Sequence, residues 1–226
     1  MHLIFVTSLV PDGEPATGYE IANQSVVEAL RRNGVKVTSL GFNWTGRRTP
    51  GRDDAIILGE VDVRSETAGR ADKAGWVAKA LAGTLPVSSA KLRIVSESAV
   101  RAALAALEPF DGYVINGVTM AGAFQNLFRD KPYFYVAHNV EYLSAEENAV
   151  TSNSGVKRFF FRREAKLLKD LELKLAGRAN CTLALAQEDC KPLGIDHPGR
   201  SVVLPLVTTK QALPVSPDRR IEFDAG

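Results

Sequence analysis

Apolar residues along this chain alternate between short continuous runs and longer stretches with helical spacing. The segment His2–Ser8 is almost continuously apolar, which is typical of a parallel strand covered on both faces. From Tyr19 the apolar positions follow a period of 3.6 residues until Asn33–Gly34, where a helix C-cap is predicted. A second strand begins at once at Val35. This order of strand, loop, helix and strand predicts a parallel βαβ unit.

The same two patterns continue through the rest of the chain. Residues 41–54 are polar and rich in glycine, arginine and proline, which predicts a loop. Further strands are predicted at 55–63, 113–115, 133–136, 182–186 and 201–204, and further helices at 71–85, 97–107, 154–179 and 187–189, with another that begins at Ser144. The repeated order favours an α/β fold, a Rossmann-like, doubly wound and mostly parallel sheet with helices on both faces.

The chain is predicted to divide near residue 206. Residues 1–206 contain all of the strands and helices named above and are interpreted as one domain. Residues 207–218 have the composition of a linker, and Arg219–Phe223 resembles the approach to a new strand. Residues 207–226 are therefore predicted to be a linker and the start of a second domain.

The longest helical pattern, at 154–179, has two interpretations. Its first turns are basic and aromatic, and a basic amphipathic helix can lie on an anionic membrane surface. Such a helix more often has one buried stripe and one solvated face. Glu164, Asp170 and Glu172 favour the second interpretation, with these carboxylates on the solvated face.

Composition and charge exclude several classes of function. The formal net charge is +2, and nucleic-acid binding needs a more concentrated basic surface. Cys181 and Cys190 are the only cysteines, and their spacing fits neither a zinc site nor a disulfide scaffold. His2 and His197 are isolated in the sequence. We therefore predict no metal and no cofactor.

The apolar runs of the chain are too short for targeting or for membrane insertion. The opening residues have no basic lead and no small-residue cleavage site, so they do not resemble a signal peptide. No apolar run approaches the length that a membrane span requires. A cytoplasmic protein is predicted, and any membrane contact would be peripheral, at the inner face.

Polar residues follow two of the predicted strands at the point where each strand ends. Asn116–Gly117 follows one strand, and His138–Asn139 follows the next, with Glu141 close behind. Because ligands of open α/β sheets bind at the carboxyl ends of the strands, these residues form a candidate site. The alternative is that His138 is a structural histidine that ends a strand. A capping box is predicted at Ser144–Glu147.

The first predicted loop provides a candidate anion site. Thr17–Gly18 opens a helix, and free amides at the positive end of a helix dipole attract phosphate or carboxylate groups. Gly18 would let a ligand approach the backbone closely. The alternative is a glycine of ordinary turn chemistry, because neither a GxGxxG fingerprint nor a P-loop lysine is present.

Several motifs of common enzyme classes are missing from the sequence. There is no GxSxG elbow, no HExxH pair, no P-loop and no aspartate-rich metal loop. Hydrolase, metalloprotease and NTPase functions would therefore lack their central residues.

Taken together, these segments resemble the N-terminal domain of GT-B fold glycosyltransferases of the retaining "group 1" or family 4 type. The resemblance extends over nearly the whole chain, and its most specific part is Ala137–Tyr142, with the sequence AHNVEY. The other segments that carry it are Pro11 with Thr17–Glu20, Asn33–Val37, Phe110–Gly117, the long helix with Glu164 and Glu172, Gln187–Asp189 and Leu204–Pro205.

This resemblance implies a two-domain enzyme with a cleft between Rossmann-like halves. The N-terminal half would bind mainly the acceptor, and the C-terminal half would hold most of the nucleotide-sugar donor. The implied reaction moves a sugar from that donor to a glycan or glycolipid acceptor, as in the synthesis of cell-surface polysaccharides or glycolipids.

The resemblance also implies roles for particular residues. Thr17–Gly18 would face the donor phosphates, and His138 would lie near the transferring sugar as the catalytic residue. Asn116, Asn139 and Glu141 would contact the acceptor. The chain departs from the family at Thr17, because the family usually has two adjacent glycines in this loop.

The family's basic donor-site residues and its paired glutamates belong to the C-terminal domain. The resemblance therefore implies that residues 1–226 alone are inactive. Two alternatives stay open at this point. A GT-B-like sugar-nucleotide epimerase would need further acid and base carboxylates in the cleft, whereas a stand-alone binding or scaffold domain would be stable without a partner domain.

Overall fold

The residues that the computed structural model describes form seven strands and seven helices. These residues are 1–11, 17–46, 54–62, 69–197 and 199–204. The strands are β1 (His2–Leu9), β2 (Lys36–Trp44), β3 (Ala55–Val61), β4 (Gly112–Asn116), β5 (Tyr133–Ala137), β6 (Cys181–Ala184) and β7 (Ser201–Val203). The helices are α1 (Gly18–Arg32), α2 (Arg70–Ala82), α3 (Val87–Lys91), α4 (Glu97–Ala105), α5 (Val118–Ala123), α6 (Glu141–Thr151) and α7 (Gly155–Arg178), with a 3₁₀ turn at Gln187–Asp189.

The seven described strands form one parallel sheet in the order β3-β2-β1-β4-β5-β6-β7. The chain places β2 and β3 on one side of β1, then returns and adds β4 to β7 on the other side. This order confirms the predicted doubly wound, Rossmann-like fold. The strand order reverses between β1 and β4, and sheets of this kind bind ligands at the carboxyl ends beside that point.

Apolar side chains on the two faces of the sheet form separate cores. On one face, Leu3 and Phe5 of β1 belong to a cluster with Val26 and Val27 of α1. On the other face, alternate strand residues such as Ile4 share a larger cluster with side chains of α4, α5, α6 and α7. Burial on both faces explains why the strands are continuously apolar in the sequence.

Helix α7 supplies buried carboxylates that cap two other helices. The Glu164 carboxylate accepts a hydrogen bond of 2.7 Å from the Val87 amide at the start of α3. The fully buried Glu172 accepts bonds of 2.9 Å from the amides of Glu141 and Tyr142 at the start of α6. The expectation that Glu164 and Glu172 lie on a solvated face is therefore wrong. Both pair amides that have no partner within their own helix, and their negative charge suits a helix N-terminus.

Strand β2 extends further than the sequence pattern indicates. A loop is predicted from residue 41, but β2 continues to Trp44. Gly41 lies so close to the carbonyl group of Thr7 in β1 that a Cβ atom would overlap it. This glycine is therefore a packing requirement within the strand rather than a loop signal.

Helices α3 and α5 are missed by the sequence pattern, and the start of α6 is misplaced. With five and six residues, α3 and α5 are too short to show a period of 3.6. Helix α6 begins at Glu141 rather than at Ser144, because Glu172 caps its first amides in place of the predicted Ser144–Glu147 capping box. The carboxylates that cap α3 and α6 come from distant parts of the chain.

The predicted division of the chain concerns residues outside this description. Residues 207–226, interpreted as a linker and the start of a second domain, lie outside the described residues, and so does the arginine-rich part of the predicted loop at 47–53. The domain division stays a prediction. Within the described ranges, no helix is both long enough and apolar enough to cross a lipid bilayer.

Candidate functional site

A cleft of about 440 Å³ opens at the carboxyl end of the sheet, beside the reversal between β1 and β4. The first turn of α1, the first turn of α5 and the loop between β5 and α6 form its walls. Its lining combines glycines, aromatic rings and polar side chains: Gly18, Tyr19, Ala22, Gly117, Val118, Thr119, Tyr135, His138, Asn139, Glu141 and Leu185. The polar residues that end β4 and β5 therefore meet at this edge of the sheet.

Asn116, the last residue of β4, is the centre of a buried hydrogen-bond network beneath the cleft. Its Nδ2 lies 2.7 Å from Oδ1 of Asn23, and 3.2 Å from the hydroxyls of Thr7 and Tyr19. Its Oδ1 lies 2.9 Å from Nε2 of His138. The side chain thus ties together β1, α1, β4 and the loop that follows β5.

This network sets the protonation state of His138. Because Oδ1 of Asn116 can only accept, Nε2 of His138 carries the proton and donates it. Burial lowers the pKa of His138 from 6.5 to about 4, so the ring is neutral at physiological pH. The Tyr19 ring packs against it with a centroid distance of 4.7 Å. A neutral ring that donates from Nε2 keeps Nδ1 as a hydrogen-bond acceptor or a base.

The N-terminus of α1 is capped on one side and open on the other. The Thr17 hydroxyl accepts from the Glu20 amide at 3.2 Å, and the Glu20 carboxylate accepts from the Thr17 amide at 3.0 Å, which completes a capping box. The Trp44 indole donates to the same carboxylate at 2.7 Å. The amides of Gly18 and Tyr19 precede the first intrahelical bond and have no hydrogen-bond acceptor among the described residues, so they can donate to an anion in the cleft.

Gly18 has room for a side chain. Its backbone is not left-handed, and apart from its chain neighbours and its own helix backbone no atom of the described residues lies within 4 Å of a Cβ atom built there. The fold therefore does not require glycine at this position. Gly117, in contrast, has a φ of +70° at the turn between β4 and α5, which disfavours any residue with a side chain.

Glu141 is held at the rim of the cleft by Glu172. Glu141 is the first residue of α6 and is exposed, although partial desolvation by the cleft raises its pKa. Burial raises the pKa of Glu172 from 4.5 to about 7, against the opposing effect of the two amide bonds that it accepts. Glu172, which caps the start of α6 at the rim of the cleft, thus titrates near neutral pH.

The hydroxyl of Tyr135 has no hydrogen-bond partner among the described residues. Tyr135 is fully buried on β5 and lines the cleft. Tyr133, two residues earlier on the same face of the strand, donates from its hydroxyl to the Leu175 carbonyl at 3.0 Å. Burial raises the pKa of Tyr135 well above its usual value, so its hydroxyl stays protonated.

The structure brings most of the predicted site residues to the cleft. Those that line it are Gly18, His138, Asn139 and Glu141. Thr17 lies at the helix cap, and its hydroxyl is occupied by the capping box. Asn116 is buried beneath the cleft and reaches it through His138. The roles that the resemblance implies for these six residues stay predictions.

Sequence reasoning missed several residues of the site. Gly117 is not among them, because the pair Asn116–Gly117 was already placed at the predicted site. Tyr19, Thr119, Tyr135 and Glu172 have no local signal, because each occurs in a pattern that is equally typical of an ordinary helix or strand. Their roles depend on which neighbours the fold brings to them.

Potential metal ligands do not cluster in the described part of the chain. No group of three His, Cys, Asp or Glu side chains there is arranged to hold a metal ion. Cys181 and Cys190 are both free thiols.

Comparison with known proteins gives a match in structure but not in sequence. No family model matches the chain, and no curated protein matches it. Among solved structures, Medicago truncatula UGT71G1 complexed with UDP-glucose is similar, with a TM-score of 0.51 and 12% sequence identity. The similarity covers 94% of this chain and 53% of that chain.

The comparison shows a glycosyltransferase-like fold. UGT71G1 is a plant glycosyltransferase of GT-B fold, and the seven-stranded parallel sheet of this chain corresponds to part of it. The chain spans about half the length of that protein. Because the sequence identity is low, the likeness concerns the fold, and the resemblance to the family 4 type stays a prediction.

The raised pKa of Glu172 predicts a pH dependence of stability. The folded protein binds the Glu172 proton more tightly than the unfolded chain does. The resulting stabilisation is complete below about pH 4.5 and is lost as the pH rises through about 7. Between these limits the unfolding free energy of the wild type should fall on the order of 3 kcal/mol more than that of Glu172→Gln.

Urea unfolding at a series of pH values measures this difference. Glu147→Gln on α6 is the matched control, because Glu147 is exposed and its substitution should leave the wild-type pH profile unchanged. Parallel pH profiles for the wild type and Glu172→Gln would contradict the assignment.

Proposed function

We propose that this chain is the acceptor-side half of a glycosyltransferase that moves a sugar from a nucleotide-sugar donor to a glycan or glycolipid acceptor. One observation carries the proposal. In a glycosyltransferase-like fold, the open amides of α1, the neutral His138 and the Glu141 carboxylate converge on one cleft at the strand reversal. A structurally similar protein was solved with UDP-glucose.

In this proposal the first turn of α1 faces the donor phosphates. Sugar transfer passes through an oxocarbenium-like state, and negative charge develops on the leaving phosphate as its bond to the sugar breaks. The amides of Gly18 and Tyr19 and the positive end of the helix would stabilise that charge. The Glu20 carboxylate already neutralises part of this end, so the contribution is local to those two amides.

His138 acts in this proposal as a neutral hydrogen-bond acceptor. Its pKa of about 4 argues against a positively charged ring at physiological pH. Nδ1 would instead accept a hydrogen bond from a sugar hydroxyl and orient the transferring sugar, while Asn116 holds Nε2. The retaining outcome and the family 4 type are proposed on the resemblance of Ala137–Tyr142.

The proposal includes a second domain that completes the cleft. The chain spans about half of the similar structure, and the groups named above occupy one wall. Catalysis by electrostatic stabilisation depends on groups aimed at the reacting atoms from both walls. We therefore expect weak donor binding and no transfer by residues 1–226 alone.

The acceptor side would include Asn139 and Glu141, and a glycolipid acceptor is supported by the surface at the junction of α6 and α7. Val150 and Val156 are each 81% exposed and Phe159 is 74% exposed, the highest values for large apolar side chains among the described residues. Exposed cations follow along the first half of α7: Lys157, Arg158, Arg162, Lys166 and Lys169. An apolar tip within a basic surface suits peripheral contact with anionic lipid.

The donor-phosphate role can be tested at Gly18. In Gly18→Val the new side chain enters open space, so the fold should be preserved while the backbone becomes less accessible to phosphate. We expect binding of UDP-glucose, measured by ligand-observed NMR, to weaken about tenfold or more with little change in Tm.

Gly155→Val is the matched control for this experiment. Gly155 is likewise the first residue of a helix, follows a side-chain N-cap and has open space around it. Equal UDP-glucose binding by the two variants would contradict the phosphate role. A wild-type chain that binds no UDP-glucose would likewise contradict a donor-phosphate contact that acts without the second domain.

His138 can be tested in a protein that also contains the second domain. His138→Ala should lower turnover about 100-fold, because it removes the acceptor that orients the sugar. Its Tm should also fall, because Oδ1 of Asn116 loses its donor, so turnover is compared per folded protein. His197→Ala, the same substitution at an exposed histidine, should leave both turnover and Tm unchanged. Turnover that falls only in proportion to lost folded protein would show a structural histidine.

Peripheral membrane contact can be tested by vesicle flotation. The 226-residue chain should float with vesicles of phosphatidylcholine and phosphatidylglycerol but not with phosphatidylcholine alone. Phe159→Ser should weaken this binding roughly tenfold, because an inserted aromatic ring is lost. Ile94→Ser removes another exposed apolar side chain, outside this surface, and should have no effect. Equal binding to both vesicle types would contradict the proposal.

A further inference from the structure

A second, smaller cavity lies at the opposite edge of the sheet from the cleft. It has a volume of about 190 Å³ and lies beside the first residues of β5 and the last turns of α7. Four cationic side chains from these two parts of the chain line it: Arg129, Lys131, Lys174 and Arg178. The function proposed above does not involve this cavity.

Three of these four cations have no carboxylate partner among the described residues. Lys131 pairs with Glu108 at 3.3 Å and lies over the Phe110 ring. Arg129, Lys174 and Arg178 form no ion pair in the described part of the chain. Like charges are thus gathered around one cavity without compensation.

The charges of Arg129 and Arg178 affect the titration of Lys174. The pKa of Lys174 is lowered, with the charge of Arg129 as the main cause, and Arg178 acts in the same direction. An exposed lysine normally has no neighbour that disfavours its charge. A bound anion would remove this repulsion, which is a free-energy gain beyond the direct contacts.

The floor of the cavity is apolar. Phe128, Leu171 and Leu175 are buried side chains that line it, and Gln125 adds an amide that can donate. The cations at its rim are exposed, so their contribution comes from three charges that converge on one cavity. The cavity therefore has an apolar floor, hydrogen-bond donors and three cations that form no ion pair in the described part of the chain.

We propose that Arg129, Lys174 and Arg178 form a binding site for a phosphate-bearing anion. Guanidinium groups match the oxygen spacing of phosphate and bind it through paired hydrogen bonds, while the lysine supplies a point charge. The volume admits a phosphate or diphosphate group with a small part of any ester attached to it. This site is separate from the cleft, since it lies at the amino end of the strands.

The test measures the affinity of the 226-residue chain for inorganic pyrophosphate by ³¹P NMR, at constant ionic strength. The Lys174→Gln, Arg178→Gln double variant should bind at least about tenfold more weakly than the wild type, because two charge-assisted contacts are lost. Repeating the titration with UDP distinguishes free phosphate from a nucleotide. Equal affinity for the two ligands assigns phosphate alone, and tighter UDP binding that the variant loses assigns a nucleotide.

The matched control is Arg32→Gln with Lys36→Gln. It also removes one arginine and one lysine, four residues apart, from exposed positions at the end of α1 and the start of β2, so the change in net charge is the same. The control should keep wild-type affinity. An equal loss in both double variants would show general attraction by net charge, and no pyrophosphate binding by the wild type would likewise overturn the proposal.

A second readout does not depend on ligand binding. Without added anion and at low salt, the Lys174→Gln, Arg178→Gln variant should have an equal or higher Tm than the wild type, since repulsion is relieved. The control pair should show no such gain. A clear drop in Tm for the site variant alone would mean that these cations already stabilise the fold, which would contradict an unoccupied anion site.

Discussion

The hydrogen bonds of Asn116 are the constraint on which the cleft depends. Burying a primary amide is acceptable only when its donors and acceptor are satisfied, and here the partners come from β1, α1 and the loop after β5. The elements around the cleft are therefore held in one arrangement. The same bonds determine which nitrogen of His138 carries the proton. Asn116 thus fixes both the arrangement of the elements around the cleft and the position of the proton on His138.

Helix α7 organises the rest of the molecule through an uneven distribution of charge. Its buried carboxylates, Glu164 and Glu172, point into the protein and cap α3 and α6. Its exposed positions are mostly cationic, at both the first turns and the last. The two ends of this helix lie far apart, since 24 residues span about 36 Å. Helix α7 therefore caps two other helices inside the protein and carries a basic surface at each of its two ends.

The strands and the position of the candidate site could both be predicted from the sequence, because both follow from how parallel strands are arranged in a sheet. Parallel strands buried on both faces leave a continuous apolar signal, and polar residues that end neighbouring strands must meet at one edge. This is why Asn116 and His138 could be placed together before any contact was known. Glu172 and Tyr135 could not be placed, because a glutamate in a helix and a tyrosine in a strand have the same local pattern whether or not they have a partner. The start of α6 was misplaced for the same reason, since its cap comes from 31 residues further along the chain.

The sequence by itself determined the alternation of strands and helices, the fold class and the edge of the sheet that carries the cleft. These features follow from the burial of apolar side chains, which has a short and regular period along the chain. Only the tertiary structure decided which polar groups are paired. It satisfied Glu172, left the Tyr135 hydroxyl without a partner among the described residues, made His138 neutral and gathered Arg129, Lys174 and Arg178 around one cavity. Hydrogen bonds and charges act over a few ångströms in space, so their partners are set by how the chain packs and not by its local pattern.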